Sequence, residues 1–177
     1  MTEGRDWTRS QFEACPDCGC DASVIADTDL GRMVTDAVAA WGTLLATAPI
    51  ADLRRWPAPA VWSPLEYACH TRDVIAVFTE RIERTAVEPG TLLGWWDHEA
   101  AVTAEAYNAQ EPVLIAEAMA SNARRLGTTL SSLPSEGWDL AAERRPGESF
   151  TIRGMGRFVL HEIVHHRQDA ERFVFGP

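Results

Sequence analysis

Apolar residues recur along most of this chain at three- and four-residue intervals, the spacing that places them on one face of a helix. A first helix is predicted to start after Thr28-Asp29, with Leu30, Met33, Val34, Ala37, Val38, Trp41, Leu44 and Leu45 on one stripe. Pro49 closes it, and the Pro57/Pro59 segment reads as a connector. The second helix has the clearest start signal. In Ser63-Pro64-Leu65-Glu66 the Ser is a helix cap, Pro takes the first helical position and Glu the third, which is a capping box. It is predicted to run to about Thr85, ahead of Pro89-Gly90. A third helix opens at Trp95-Trp96-Asp97-His98 and reaches about Asn108. A fourth runs from Glu111-Pro112 to about Leu133, before Pro134. Residues 134–150, rich in charge, Pro and Gly, read as a loop, and the last helix spans about Thr151 to Phe173.

No strand-like alternation persists and no internal repeat is evident. The pattern therefore predicts an all-α fold: a bundle of four long helices with one shorter extra helix. At 177 residues one core is expected. The division is an N-terminal extension over 1–27, polar and cysteine-bearing, followed by the bundle over 28–177.

Composition narrows the partners. Hydrophobic residues make up 46% and charged residues 24%, ordinary for a globular chain, and no apolar run approaches a membrane span. The first residues lack the basic-then-apolar pattern of a signal peptide, so a cytoplasmic location is expected. The net charge of −10 argues against nucleic acid or an anionic membrane as partner. All 16 basic residues are Arg, which excludes a Schiff-base lysine. A small-molecule substrate is the expected partner. Exposed apolar helix faces in such bundles often pair, which allows a homodimer.

The candidate chemistry lies in the histidines. The last helix carries His161-Glu162-Ile163-Val164-His165-His166, and His70 falls on the second helix. Residues four apart share a helix face, so a pair there plus one His from a neighbouring helix makes a three-ligand metal site with an open position. Two registers compete, His161 with His165 and Glu162 with His166. Met155, Val159, Ile163, Ala170 and Phe173 define an apolar arc that includes Glu162 and His166. His161 and His165 turn toward Arg157, Gln168 and Arg172, an arc expected to be wet. A buried carboxylate needs a partner, which a metal supplies. The reading favours His70, Glu162 and His166 and leaves the other pair open. The His-Glu-x-x-His match at 161, 162 and 165 to the zinc-protease motif carries less weight, because a small bundle lacks a peptide-binding edge strand.

Trp62-Ser63-Pro64-Leu65-Glu66-Tyr67-Ala68-Cys69-His70, with Glu162-x3-His166-x2-Asp169 later, resembles the DinB-like superfamily, and within it the mycothiol-dependent maleylpyruvate isomerase type. The resemblance covers about residues 28–175 and also favours the Glu162/His166 register. It implies a divalent metal, zinc or nickel, at one end of the bundle. It implies a low-molecular-weight thiol, mycothiol or bacillithiol, as co-substrate for S-transfer to an electrophilic small molecule or for isomerisation. Asp169 is given the catalytic supporting role of orienting His166 or a bound water. Rival expectations are metal-assisted isomerisation or hydrolysis without thiol, and a non-catalytic bundle that keeps a metal as a stabiliser.

The extension departs from that pattern. Cys15-Pro16-Asp17-Cys18-Gly19-Cys20 allows four readings: half a zinc site completed by Cys20 or another chain, a redox pair, thiols at the active-site mouth, or an ordered turn. Cys69 reads as a small buried hydrophobe. His98 is a candidate pocket residue. Arg124-Arg125 and Arg144-Arg145 are candidate carboxylate clamps, with a solvated face the simpler account.

Overall fold

The computed structural model describes residues 7–145 and 147–176. Six helices are present among them: α1 (Asp27–Thr47), α2 (Ile50–Leu53), α3 (Pro64–Val87), α4 (His98–Ala104), α5 (Pro112–Ser131) and α6 (Ile152–Phe175). The four long ones form a bundle around one continuous core that includes Leu30, Trp41, Leu65, Ile75, Met119, Leu126, Met155 and Val159. Both α1 and α3 pack on α5 and α6, so α1 and α3 face each other across the diagonal. No helix among the described residues is long and apolar enough to cross a membrane.

The start of α3 follows the capping chemistry of its sequence. The backbone N–H of Glu66 donates to Ser63 Oγ at 3.2 Å, and that of Ser63 donates to Glu66 Oε2 at 2.7 Å. Ser63 Oγ also meets Asn108 Oδ1 at 2.9 Å, and Trp56 Nε1 donates to Glu66 Oε2 at 2.9 Å, so one cap ties three segments together. Ser63→Ala is expected to cost about 1–2 kcal/mol, measured as a drop in the denaturant midpoint at unchanged slope.

Three local expectations are corrected. The third predicted helix, α4, ends at Ala104 instead of reaching Asn108. Ala106 takes a left-handed conformation (φ 47°), and Tyr107 turns into the core, where its hydroxyl donates to the Asp73 carboxylate. Residues 134–150 are not simply a loop. A 3₁₀ turn (Ser135–Asp139) leads into an antiparallel hairpin of β1 (Ala141–Arg145) and β2 (Glu148–Thr151). Only Ala142 and Phe150 of this pair are buried, too few to make an alternation readable in advance. Finally, α2 is a single turn within the segment read as a break.

The N-terminal segment lies against α6. A turn at Trp7–Gln11 and another at Ala22–Val24 both pack on that helix. The approach is close: a Cβ on Gly154 would stand 2.1 Å from Gln11 Oε1, so a larger residue there would displace the Gln11 carboxamide. Side-chain bonds reinforce it, with Gln168 Nε2 donating to Cys18 O and Arg172 Nη2 to Asp17 O, both at 2.9 Å. The helix is thus covered on two sides, by the bundle core and by the segment from Trp7 to Val24.

Candidate metal centre

His70 projects from α3 toward α6 and meets Glu162 and His166 there. The Nε2 atoms of His70 and His166 lie 3.8 and 3.3 Å from the same carboxylate oxygen, Glu162 Oε2. The three side chains each direct one donor atom into a space where all lie within 4.8 Å of one another. Metal–nitrogen and metal–oxygen bonds of about 2.0–2.2 Å in tetrahedral arrangement separate ligand atoms by roughly 3.3–3.5 Å, so the cluster is near the spacing an ion requires. His70 Nδ1 is buried and has no hydrogen-bond partner among the described residues. Two imidazoles and a carboxylate, nearly pre-positioned around a common point, suit a divalent ion such as zinc or nickel.

Electrostatics follow from burial and from two carboxylates among four imidazoles. Burial would raise the Glu162 carboxyl, but contacts with His161, His166 and His70 outweigh it and hold it well below the usual carboxylate range. Burial is also the largest influence on His70 and, against the opposing pull of Glu162, brings its pKa down to about 4. This ring is therefore neutral at pH 7, the form a metal ligand must have. Burial disfavours the charged form of His166 as well, yet Asp169 and Glu162 push it up to about 9. Asp169 Oδ2 lies 3.6 Å from His166 Nδ1 and 3.4 Å from His165 Nε2, so this carboxylate faces both rings.

The surroundings are aromatic. Trp62 and Trp96 flank His70 with ring centroids 5.0 and 5.7 Å away, the latter nearly parallel at 4°. Tyr67 stacks on His166 at 5.2 Å, and His98, the first residue of α4, stands 5.5 Å from His70. Burial, followed by the nearby Asp169 and Glu66, pushes the Tyr67 hydroxyl up to about 12, so it is protonated at neutral pH. An open groove borders Trp62 along the Trp56–Val61 connector. Of these side chains Tyr67 and Trp96 carried no site signal of their own in the sequence. Trp96 is brought in by the connector before α4, and Tyr67 by lying three residues, close to one helical turn, before His70.

The other candidates fall elsewhere. Cys69 is fully buried, and burial pushes its thiol up to about 12. Arg125 binds Glu83 through Nε at 3.0 Å, and Arg145 pairs with Glu148 at 3.7 Å, so these arginines are engaged in surface ion pairs. The expectation that His161 and His165 face water is overturned. His161 is 0% and His165 7% exposed, because residues 15–20 cover that side of α6.

Comparison with known proteins agrees with this architecture. The structure matches that of YfiT from Bacillus subtilis, described as a probable metal-dependent hydrolase with an unusual four-helix bundle topology. The TM-score is 0.75 at 14% sequence identity, covering 90% of this chain and 93% of that one. Among curated proteins no sequence matches. The family model of the DinB superfamily matches residues 33–170, a stretch that contains most of the four long helices and both segments meeting at the cluster, and the chain belongs to the DinB superfamily.

Proposed function

We propose that this protein is a metal-dependent enzyme that transfers a low-molecular-weight thiol, mycothiol or a close relative, onto an electrophilic small molecule. The observation that carries the reading is the convergence of His70, Glu162 and His166 on one point beside an aromatic wall. A divalent metal held by these three residues supplies Lewis acidity, which makes a thiol or water a competent nucleophile at neutral pH.

The protein's own groups account for the rest. Trp62, Trp96 and Tyr67 give apolar faces against which an organic substrate can lie, and they limit competing water. Neutral His70 and the carboxylate of Glu162 are already in ligand form. Asp169 is a positioning residue: its carboxylate fixes the rotation of the His166 ring. In the transfer, the thiol proton passes to solvent, sulfur forms a bond to the electrophilic carbon, and the leaving group departs with its electron pair. His98, half-exposed beside His70, stands at the solvent side of this path.

A second reading, hydrolysis with water in place of thiol, is favoured by the similar fold of the Bacillus subtilis protein described as a probable metal-dependent hydrolase. The two separate in one assay. Zinc- or nickel-loaded protein is given monochlorobimane with and without mycothiol, and in parallel a chromogenic ester without thiol. Thiol-dependent conjugation, abolished by chelation and by His70→Ala, is the expected result. Ester cleavage without thiol, with no conjugation, would assign the hydrolase reading, and inactivity in both would remove the enzymatic one.

A further inference from the structure

A second cluster lies on the other side of α6, and neither the proposed reaction nor the family assignment uses it. Cys15, Cys18, His161 and His165 each offer one ligand atom, all within 4.8 Å of one another. We propose that these four residues form a structural zinc site that fastens the N-terminal segment to α6, separate from the site at His70.

The donor set is two sulfurs and two imidazole nitrogens, the Cys₂His₂ combination of closed tetrahedral zinc sites. Its spacing, Cys-x2-Cys and His-x3-His, is that of such sites, with the helical bundle inserted between the two halves. The cysteine half has the shape of a metal-binding knuckle. Gly19 N–H donates to Cys15 O at 2.8 Å and Cys15 N–H to Cys20 O at 2.9 Å, while Gly19 takes the positive φ of 70° that closes the turn. The histidine half needs only the one-turn separation on α6. Cys15 is 5% exposed although it sits in a polar segment, and its sulfur is 3.7 Å from His165 Nδ1.

The ring nitrogens turned away from the cysteines meet carboxylates. His161 Nδ1 lies 3.2 Å from Glu162 Oε1, and His165 Nε2 lies 3.4 Å from Asp169 Oδ2. Histidine ligands of zinc characteristically carry a carboxylate or carbonyl on the second nitrogen, which fixes the ring and raises its basicity. His165, His166 and Asp169 also lie close enough to one another to suggest an ion. The Asp169 oxygen there is shared by the rear nitrogens of two rings whose front nitrogens face the other two clusters, so it serves both and needs no third metal. Binding converts both thiols to thiolates and releases their protons to solvent.

The site explains the N-terminal cysteines without a partner chain. Cys20 lies outside the cluster. Zinc here links the segment before α1 to the helix that carries Glu162 and His166.

The test is metal analysis of the full chain purified under reducing conditions, for wild type, the Cys15→Ser/Cys18→Ser double variant and His70→Ala, with cobalt(II) substitution of wild type and His70→Ala. Expected are two equivalents of metal in wild type and one in each variant. Intense thiolate-to-cobalt charge-transfer absorption is expected in both cobalt-loaded proteins. A wild type without that absorption, or a double variant with the full wild-type metal content, would overturn the proposal. Should the double variant fail to fold, the cobalt spectrum of the wild-type chain decides alone. Metal that survives His70→Ala undiminished, with the thiolate band present, would leave this site standing and remove the proposed reaction centre.

Discussion

Glu162→Gln is expected to fold but to lose metal from the site shared with His70 and His166. The amide keeps the volume of the carboxylate and removes its charge, so packing on α6 is preserved while the anion within reach of both Nε2 atoms disappears. Outer partners of metal ligands are typically worth 10–100-fold in affinity, and a carboxylate that itself ligates should exceed about 100-fold. Glu162→Ala should do more damage, because it also opens a buried cavity beside His70, His161 and His166. Competition titration with a metallochromic chelator measures the affinity, and thermal unfolding separates it from stability. His161→Ala provides the contrast. It should spare the site at His70 and empty only the one at Cys15 and Cys18. Retention of the non-thiolate metal in Glu162→Gln, together with its loss in His161→Ala, would reassign the ligands to the other register.

Trp41→Ala should destabilise the fold by about 3–5 kcal/mol, a large share of the roughly 5–15 kcal/mol available to a domain of this kind. Trp41 is fully buried on α1, and its indole N–H donates to the carbonyl of Ile163 at 3.0 Å. That carbonyl lies between Glu162 and His166 in sequence, so the bond also fixes how α6 is rotated. Trp41→Phe keeps most of the apolar volume and should cost less, about 1–3 kcal/mol from the smaller ring and the unmet indole bond. Guanidinium unfolding followed by circular dichroism gives both values. Equal stability of Trp41→Ala and wild type would show that the contact contributes nothing.

Local sequence signals proved readable where a helix has one buried face and a chemically marked end. The Ser63–Glu66 box set the start of α3 and, through helical spacing, the place of His70 along it. The arc of Met155, Val159 and Ile163 put Glu162 and His166 on the side of α6 that meets α3. The same reasoning misplaced His161 and His165, because it allowed α6 only one covered face. Arg157, Gln168 and Arg172 suggested water on the far side, yet Gln168 and Arg172 are there to bind backbone carbonyls of residues 17 and 18, and Arg157 reaches Ile25 O at 3.4 Å. Polar side chains that dock another segment of the same chain cannot be told from polar side chains that meet solvent by periodicity alone. The Cys-x2-Cys and His-x3-His spacings, taken together, were the available signal. The hairpin at 141–151 was illegible for a different reason. It buries Ala142 and Phe150 without a sustained alternation, and a bridge between Leu92 and Glu143 braces it from a distant segment.

The diagonal placement of α1 and α3 bears on how the chain assembles. In an up-and-down bundle each helix can zip onto the one before it, and the structure grows from local hairpins. Here α1 must wait for α5, its first long partner, and α3 and α1 are both completed only by α6. Most contacts between the long helices that meet at α5 and α6 therefore join segments far apart in sequence, and closing those large loops comes before that packing gain. Folding should be slower than for a simple helical bundle of equal length, and a nascent chain still lacking α6 has two long helices with apolar flanks uncovered. The histidines of α6 lie on the last of the four long helices, so metal capture at either proposed cluster would coincide with closure of the bundle.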